Sequence, residues 1–99
     1  MKKDHAYYVY ILSCKRNSVL YIGVTNNLFS RIFQHKLHIN PESFTAKYKT
    51  TKLVYYEEYQ YIQDAILREK QMKKWNREWK DNLIKKENPL WHDYFLDMI

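Results

Sequence analysis

Residues 7–12, Tyr-Tyr-Val-Tyr-Ile-Leu, mix β-branched and aromatic side chains in the manner of a strand. A polar, turn-like stretch at 14–18 follows, and residues 19–24 repeat the strand signature, so together they predict a β-hairpin. Successive side chains of a strand point to opposite faces. That period places Tyr8, Tyr10, Tyr21 and Gly23 on one face and Val9, Ile11, Leu20, Ile22 and Val24 on the other. The aliphatic face is expected in the core, and the tyrosine face is expected to be partly wet.

The period then changes. Thr25, Asn26 and Asn27 are side-chain acceptors suited to capping a helix. Leu28, Phe29, Ile32, Phe33 and Leu37 fill one half of the wheel that follows. Arg31 and His35 are four apart and share a ridge at the border of that apolar half, with neither expected to point straight out to solvent. Residues 39–51 read as a loop, and 53–59 as a third strand. Residues 62–75 read as a second helix with Ile62, Ala65, Ile66 and Met72 on its apolar face, and 76–86 as a third with Trp79, Leu83 and Ile84 inward. Asn88-Pro89 stops that helix, and Trp91 and Phe95 are expected to fold back as a cap. The order is β-β-α-β-α-α, an α+β class with a small antiparallel sheet flanked by helices. Residues 1–99 are expected to form a single domain, with no repeat or internal boundary.

Two positions break these patterns. Gly23 is the only glycine in 99 residues. A glycine inside a strand marks a bulge or a close backbone approach, so Gly23 is expected where a side chain cannot fit. Glu69 falls inside the apolar arc of its helix, between Ala65 and Ile66 in angle. A buried unpaired carboxylate costs several kcal/mol, so Glu69 must be paired, bind a metal or line a cavity. An ion pair with Arg31 is the structural alternative to a site role, and a satisfied boundary histidine is the plain reading of His35.

Composition narrows the function classes. The net charge is +6 with a pI of about 9.4, which favours a polyanionic partner, nucleic acid ahead of a membrane surface. Lys47, Lys49 and Lys52, among threonines and Tyr48, suit phosphate contacts as well as they suit a solvated loop. One cysteine, Cys14, excludes an internal disulfide and suits a reducing compartment. No run approaches the ~20 apolar residues of a membrane span. The start, Met1 to His5 followed by seven apolar residues, only faintly resembles a secretory leader, and a cytoplasmic location is expected. One cysteine and four histidines lack the spacing of a zinc site. There is no phosphate-cradling glycine loop and no nucleophile elbow. Only Glu69 sits where a hard cation could use it, in the manner of Mg²⁺ held by one carboxylate, waters and substrate phosphate; two-metal chemistry would want more acidic ligands.

With these residues in hand the sequence resembles the GIY-YIG nuclease superfamily. Tyr8-Val9-Tyr10 stands at the first motif and Tyr21-Ile22-Gly23 at the second, with Arg31, His35, Glu69 and Asn88 following in order and spacing. The likeness spans nearly the whole chain and is nearest the small stand-alone bacterial branch. It implies a three-stranded antiparallel sheet flanked by helices, and a metal-dependent endonuclease cutting DNA ahead of RNA, selective for structure rather than sequence. It further implies that Glu69 holds one Mg²⁺ or Mn²⁺, that Tyr21 is the general base acting with or beside His35, and that Arg31 stabilises phosphate charge. Tyr10 would orient water or phosphate, and Asn88 would support the site. Tyr8 replaces the glycine of the first motif, and Val24 stands where some members carry a lysine; the loss of that cation is expected to slow the reaction. A free tyrosine has a pKa near 10, so ionising one at pH 7 costs about 4 kcal/mol, which a dication and Arg31 would lower. The alternatives are a nucleic-acid-binding module with little or no catalysis and, more weakly, a protein-binding domain. A monomer or weak oligomer is expected.

Overall fold

The first strand is the centre of the sheet. β1 (Tyr7–Ser13) pairs antiparallel with β2 (Leu20–Thr25) on one side and β3 (Lys52–Tyr59) on the other, giving the order β2-β1-β3 in the computed structural model, which describes residues 6–99. The leader-like reading of residues 1–5 falls outside the described residues. Among the described residues there are also four helices and a short 3-10 helix: α1 (Leu28–Lys36), α2 (Phe44–Tyr48), α3 (Ile62–Lys74), α4 (Arg77–Glu87) and the 3-10 helix Tyr94–Asp97. The expected α+β class and antiparallel sheet are therefore observed. Among the described residues no helix is long and apolar enough to cross a membrane.

The two faces sort as the alternation requires, but both carry core. Val9, Ile11 and Ile22 pack with Ala65 and Met72 of α3 and Ile84 of α4. Tyr10 and Leu12 on the opposite face pack with Leu28 and Ile32 of α1, Leu53, and Phe95 of the 3-10 helix. The tyrosine face is partly wet as expected, with Tyr8 and Tyr21 partly exposed, but its middle is not: Tyr10 and Leu12 are fully buried. A central strand covered on both faces has no solvent side, which explains why residues 9–13 are buried without a break. A register shift between Ile11 and Leu12 sets two residues of β3 where one would pair, and consecutive Val54 and Tyr55 both reach the α3 side.

Elsewhere the helical wheel overstated burial. On α1 only Leu28 and Ile32 are buried, while Phe29, Phe33 and Leu37 are exposed, with Phe29 and Phe33 stacked on Phe95 at the rim. Ile62, Ile66 and Trp79 are likewise exposed rather than inward. The segment expected as a loop contains α2. Its cap is Ser43, whose hydroxyl accepts from the Ala46 N–H, and its exit is Lys49 in the left-handed conformation. The C-terminal cap does form: Phe95 is buried, and Trp91 packs partly buried against the α3 side. Asp93 fixes it, accepting from the N–H groups of Leu53 and Phe95 and pairing with Lys36 of α1 at 2.6 Å.

Candidate active site

Gly23 faces Tyr10 across the β1–β2 ladder. A Cβ placed on Gly23 would lie 2.5 Å from both the ζ-carbon and the hydroxyl of Tyr10. The glycine is therefore there for close approach, as its position in a strand implied. The bare backbone lets the Tyr10 ring lie over β2 and directs its hydroxyl to His35, 3.0 Å from Nε2.

His35 is the second link of a polar chain. Its Nδ1 lies 2.8 Å from the Thr45 hydroxyl, which lies 3.2 Å from that of Ser43. Both ring nitrogens are therefore engaged. Burial, and then the positive charge of Arg31, lowers the His35 pKa to about 4, so the imidazole is neutral near pH 7. Burial pushes the Tyr10 phenol up to about 12; hydrogen bonding to Arg31 pulls it down and the neighbouring Tyr21 phenol adds to the rise. The phenol thus keeps its proton. A neutral imidazole lets the chain run in either sense. In one, Tyr10 donates to Nε2 and Nδ1–H donates to Thr45. In the other, Thr45 donates to Nδ1 and Nε2–H donates to the Tyr10 oxygen, which frees the phenol proton for a group nearby.

Tyr21 and Arg31 stand at the open end. The Tyr21 ring lies 5.6 Å from that of His35 and 6.2 Å from that of Tyr10. Tyr21, Arg31, His35, Phe44 and Thr45 line a recess of about 380 Å³ between α1 and α2. Arg31 is more open than its wheel position suggested: it is exposed, reaches Gln34 at 3.4 Å, and belongs to none of the ion pairs among the described residues. An accessible guanidinium beside two phenols and a neutral imidazole favours an anion in this recess.

Glu69 does not line that recess. It pairs with Lys73 one turn on at 3.3 Å, and not with Arg31. Its carboxylate is largely but not fully covered, at 18% exposed, whereas Lys73 is half exposed. Lys73 in turn shares a second recess, of about 300 Å³, with Tyr21, Phe44 and Lys80. Lys73 thus links Glu69 to the β2 edge of the sheet, where Tyr21 lines the same recess. Its helix is anchored by the preceding residue. Arg68 bonds the Glu57 carboxylate through two nitrogens, at 3.0 and 2.9 Å, and lies over Trp75. Tyr55 and Tyr59 donate to the same carboxylate. Burial opposes the charge on Glu57, yet these donors outweigh it and hold its pKa below the usual value.

Among the described residues no group of three or more His, Cys, Asp and Glu side chains converges. His35 has no free nitrogen to offer. A lone carboxylate such as Glu69 fits only a hard ion that takes its other oxygens from water and phosphate. Lys47 and Lys49 are exposed around α2, while Lys52 is half buried at the start of β3, opposite Ser13. Asn88 is buried, and its side chain is spent on backbone. Its amide donates to the carbonyls of Val54 and His92, and its oxygen accepts from the His92 N–H. It braces the sheet against the C-terminal segment.

Three partners at this site were not singled out from sequence. Thr45, at 2% exposed, and Ser43 read as loop polar residues, and the Ser-x-x spacing of a short cap was the one available sign of α2. Lys73 read as an ordinary outer-face lysine, although its i,i+4 spacing from Glu69 was visible.

Residues 6–82 match the sequence profile of the GIY-YIG catalytic domain. A UPF0213 protein of Clostridium perfringens is 43% identical over 77 residues, covering 78% of this chain and 81% of that one. A UPF0213 protein of Syntrophus aciditrophicus is 37% identical over 82 residues, covering 83% and 92%. The solution NMR structure of a UPF0213 protein from Bacillus halodurans superposes with a TM-score of 0.56 at 26% identity, over 89% of this chain and 92% of that one.

Proposed function

The chain belongs to the GIY-YIG family, and from that premise we propose that it is an endonuclease that hydrolyses phosphodiester bonds in DNA, selecting its substrate by structure rather than sequence. The observation that carries the reading is the Tyr10–His35 contact beside Tyr21 and Arg31, at a recess open to an anion. In this reading a phosphate sits against Arg31, whose guanidinium stabilises charge developing on its oxygens. Tyr21 takes the proton of the attacking water as general base. Tyr10, held by His35, turns its hydroxyl toward that water or the phosphate. Glu69 would hold one Mg²⁺ or Mn²⁺, exchanging Lys73 for it, and the ion when bound supplies Lewis-acid stabilisation of phosphate charge. Lys73 is half exposed, so the exchange releases an ammonium that water already reaches. Lys73 and Lys80 provide cations on the Tyr21 side that offset the valine at position 24.

A second reading, a nucleic-acid-binding module with little catalysis, draws on the same Glu69–Lys73 pair, which occupies the one candidate metal ligand. A nicking assay on branched, gapped, single-stranded and duplex DNA and on RNA, with Mg²⁺, with Mn²⁺ and with EDTA, separates the two. Metal-dependent nicking supports the endonuclease. Binding without nicking on any substrate supports the module.

A further inference from the structure

Phe44 and Tyr48 are four apart on α2 and present adjacent rings, 4.6 Å between centroids, that remain 44% and 53% exposed. Tyr21 continues the series, 6.0 Å from Phe44. Tyr21 and Phe44 together form the wall between the recess holding Arg31 and His35 and the recess holding Lys73 and Lys80. Two large exposed rings on a five-residue helix are costly to leave in water. They stay in place because α2 is tied to the site through the Thr45–His35 contact.

The charge around the rings identifies the occupant. Lys47 and Lys49 alternate with them on the exposed side of α2, and residues 37–52 contain three lysines against the single carboxylate Glu42. Aromatic faces interleaved with lysines match a strand of nucleic acid whose bases stack while its phosphates meet the cations. In a duplex the base faces are covered by their neighbours, so only unpaired bases offer a free face. We infer that Phe44 and Tyr48 are a stacking platform for unpaired bases of single-stranded DNA leading into the Tyr21–Arg31 recess, which makes the enzyme selective for substrates with an unpaired segment. This deepens the endonuclease reading and rests on it for the direction of the strand toward the recess.

Binding in EDTA, read by fluorescence anisotropy at low salt, tests the platform without requiring catalysis. The probes are a labelled single-stranded DNA 12-mer, the same strand with reduced abasic sites, and a blunt duplex of equal phosphate count. The wild type should bind the 12-mer several-fold tighter than the other two. Phe44→Ala and Tyr48→Ala should each weaken the 12-mer about five- to 100-fold while changing the abasic strand and the duplex less than twofold. Tyr48→Trp should keep or improve the preference. Equal wild-type affinity for the intact and abasic strands overturns the inference. So does an equal loss on all three probes in Tyr48→Ala, or a wild-type dimer in sedimentation that Tyr48→Ala dissociates, which would assign the rings to a second copy. A protein with this base preference that nicks nothing keeps the platform and loses the endonuclease. One that nicks duplex and single strand alike, with Tyr48→Ala unchanged, keeps the endonuclease and loses the platform.

Discussion

The Tyr10 ring occupies the space that a side chain on Gly23 would need. Because β1 and β2 pair Tyr10 directly opposite Gly23, the glycine sets where the phenol lies and leaves its hydroxyl within reach of His35. Gly23→Ala should cost about 1–3 kcal/mol, the usual range for forcing a methyl into a packed core. Tyr10 should also shift away from His35. The added Cβ meets the ζ-carbon as well as the hydroxyl, so Tyr10→Phe should not relieve it, whereas Tyr10→Leu should. A double-mutant cycle by chemical denaturation should show Gly23→Ala costing clearly less in the Tyr10→Leu background. Equal costs in both backgrounds would separate the two residues.

The neutral His35 makes stability depend on pH in a defined direction. Its folded pKa, about 4, lies below the ordinary 6.5, so the unfolded chain binds the proton first as pH falls. Unfolding is therefore favoured progressively between about pH 6.5 and 4, and the His35 contribution is fully present above 6.5. His35→Gln should flatten that part of the melting-temperature profile. Titration of the His35 Cε1–H resonance by NMR checks the cause directly, and an inflection at 6.5 or above would contradict it.

Asn88 should behave as a brace. Replacing it with alanine leaves the buried Val54 carbonyl and the turn at His92 without partners, at a cost of about 2–3 kcal/mol. For a domain of this size that is a fall of roughly 10–20 °C in Tm. Calorimetry of Asn88→Ala reads it. A melting point within a few degrees of wild type would return Asn88 to the site itself.

Glu69 should behave in the opposite way. Its partner Lys73 is half exposed, so Glu69→Ala leaves a solvated ammonium rather than a buried charge. Melting in EDTA should stay within a few degrees of wild type. Cleavage should be lost, together with any rise in Tm on adding Mg²⁺ or Mn²⁺. A mutant that melts far below wild type in EDTA would make Glu69 a structural residue, and one that still cleaves would remove it from the mechanism.

Much of this was legible from local rules. Strand alternation sorted the hairpin residues it assigned onto their observed faces, and the lone glycine marked a close approach, which the structure shows to be that of Tyr10. Tertiary packing decided the rest. Nothing in the period of β1 says that a 3-10 helix some eighty residues on will cover the middle of its tyrosine face, so alternation alone does not tell the buried Tyr10 from the partly exposed Tyr8 and Tyr21. Helix α2 is too short for a period of 3.6 to be visible, so Thr45 reads as loop although it holds His35. The partner of Glu69 was ambiguous because a wheel gives direction but not reach. Arg31, at the border of the apolar half of its own helix, was one candidate, while Lys73 was one turn away on the same helix as Glu69.

The central claim is that Tyr21 is the base of a metal-dependent cleavage site. Single-turnover cleavage of a labelled DNA substrate carrying an unpaired segment, by the wild type and by Tyr21→Phe in Mg²⁺, tests it most directly. The wild type should cut, EDTA should abolish cutting, and folded Tyr21→Phe should bind the DNA but cut it about 10²–10⁴ times more slowly. A Tyr21→Phe protein that cuts at the wild-type rate, or a folded wild type that binds the substrate and never cuts it, would contradict the account.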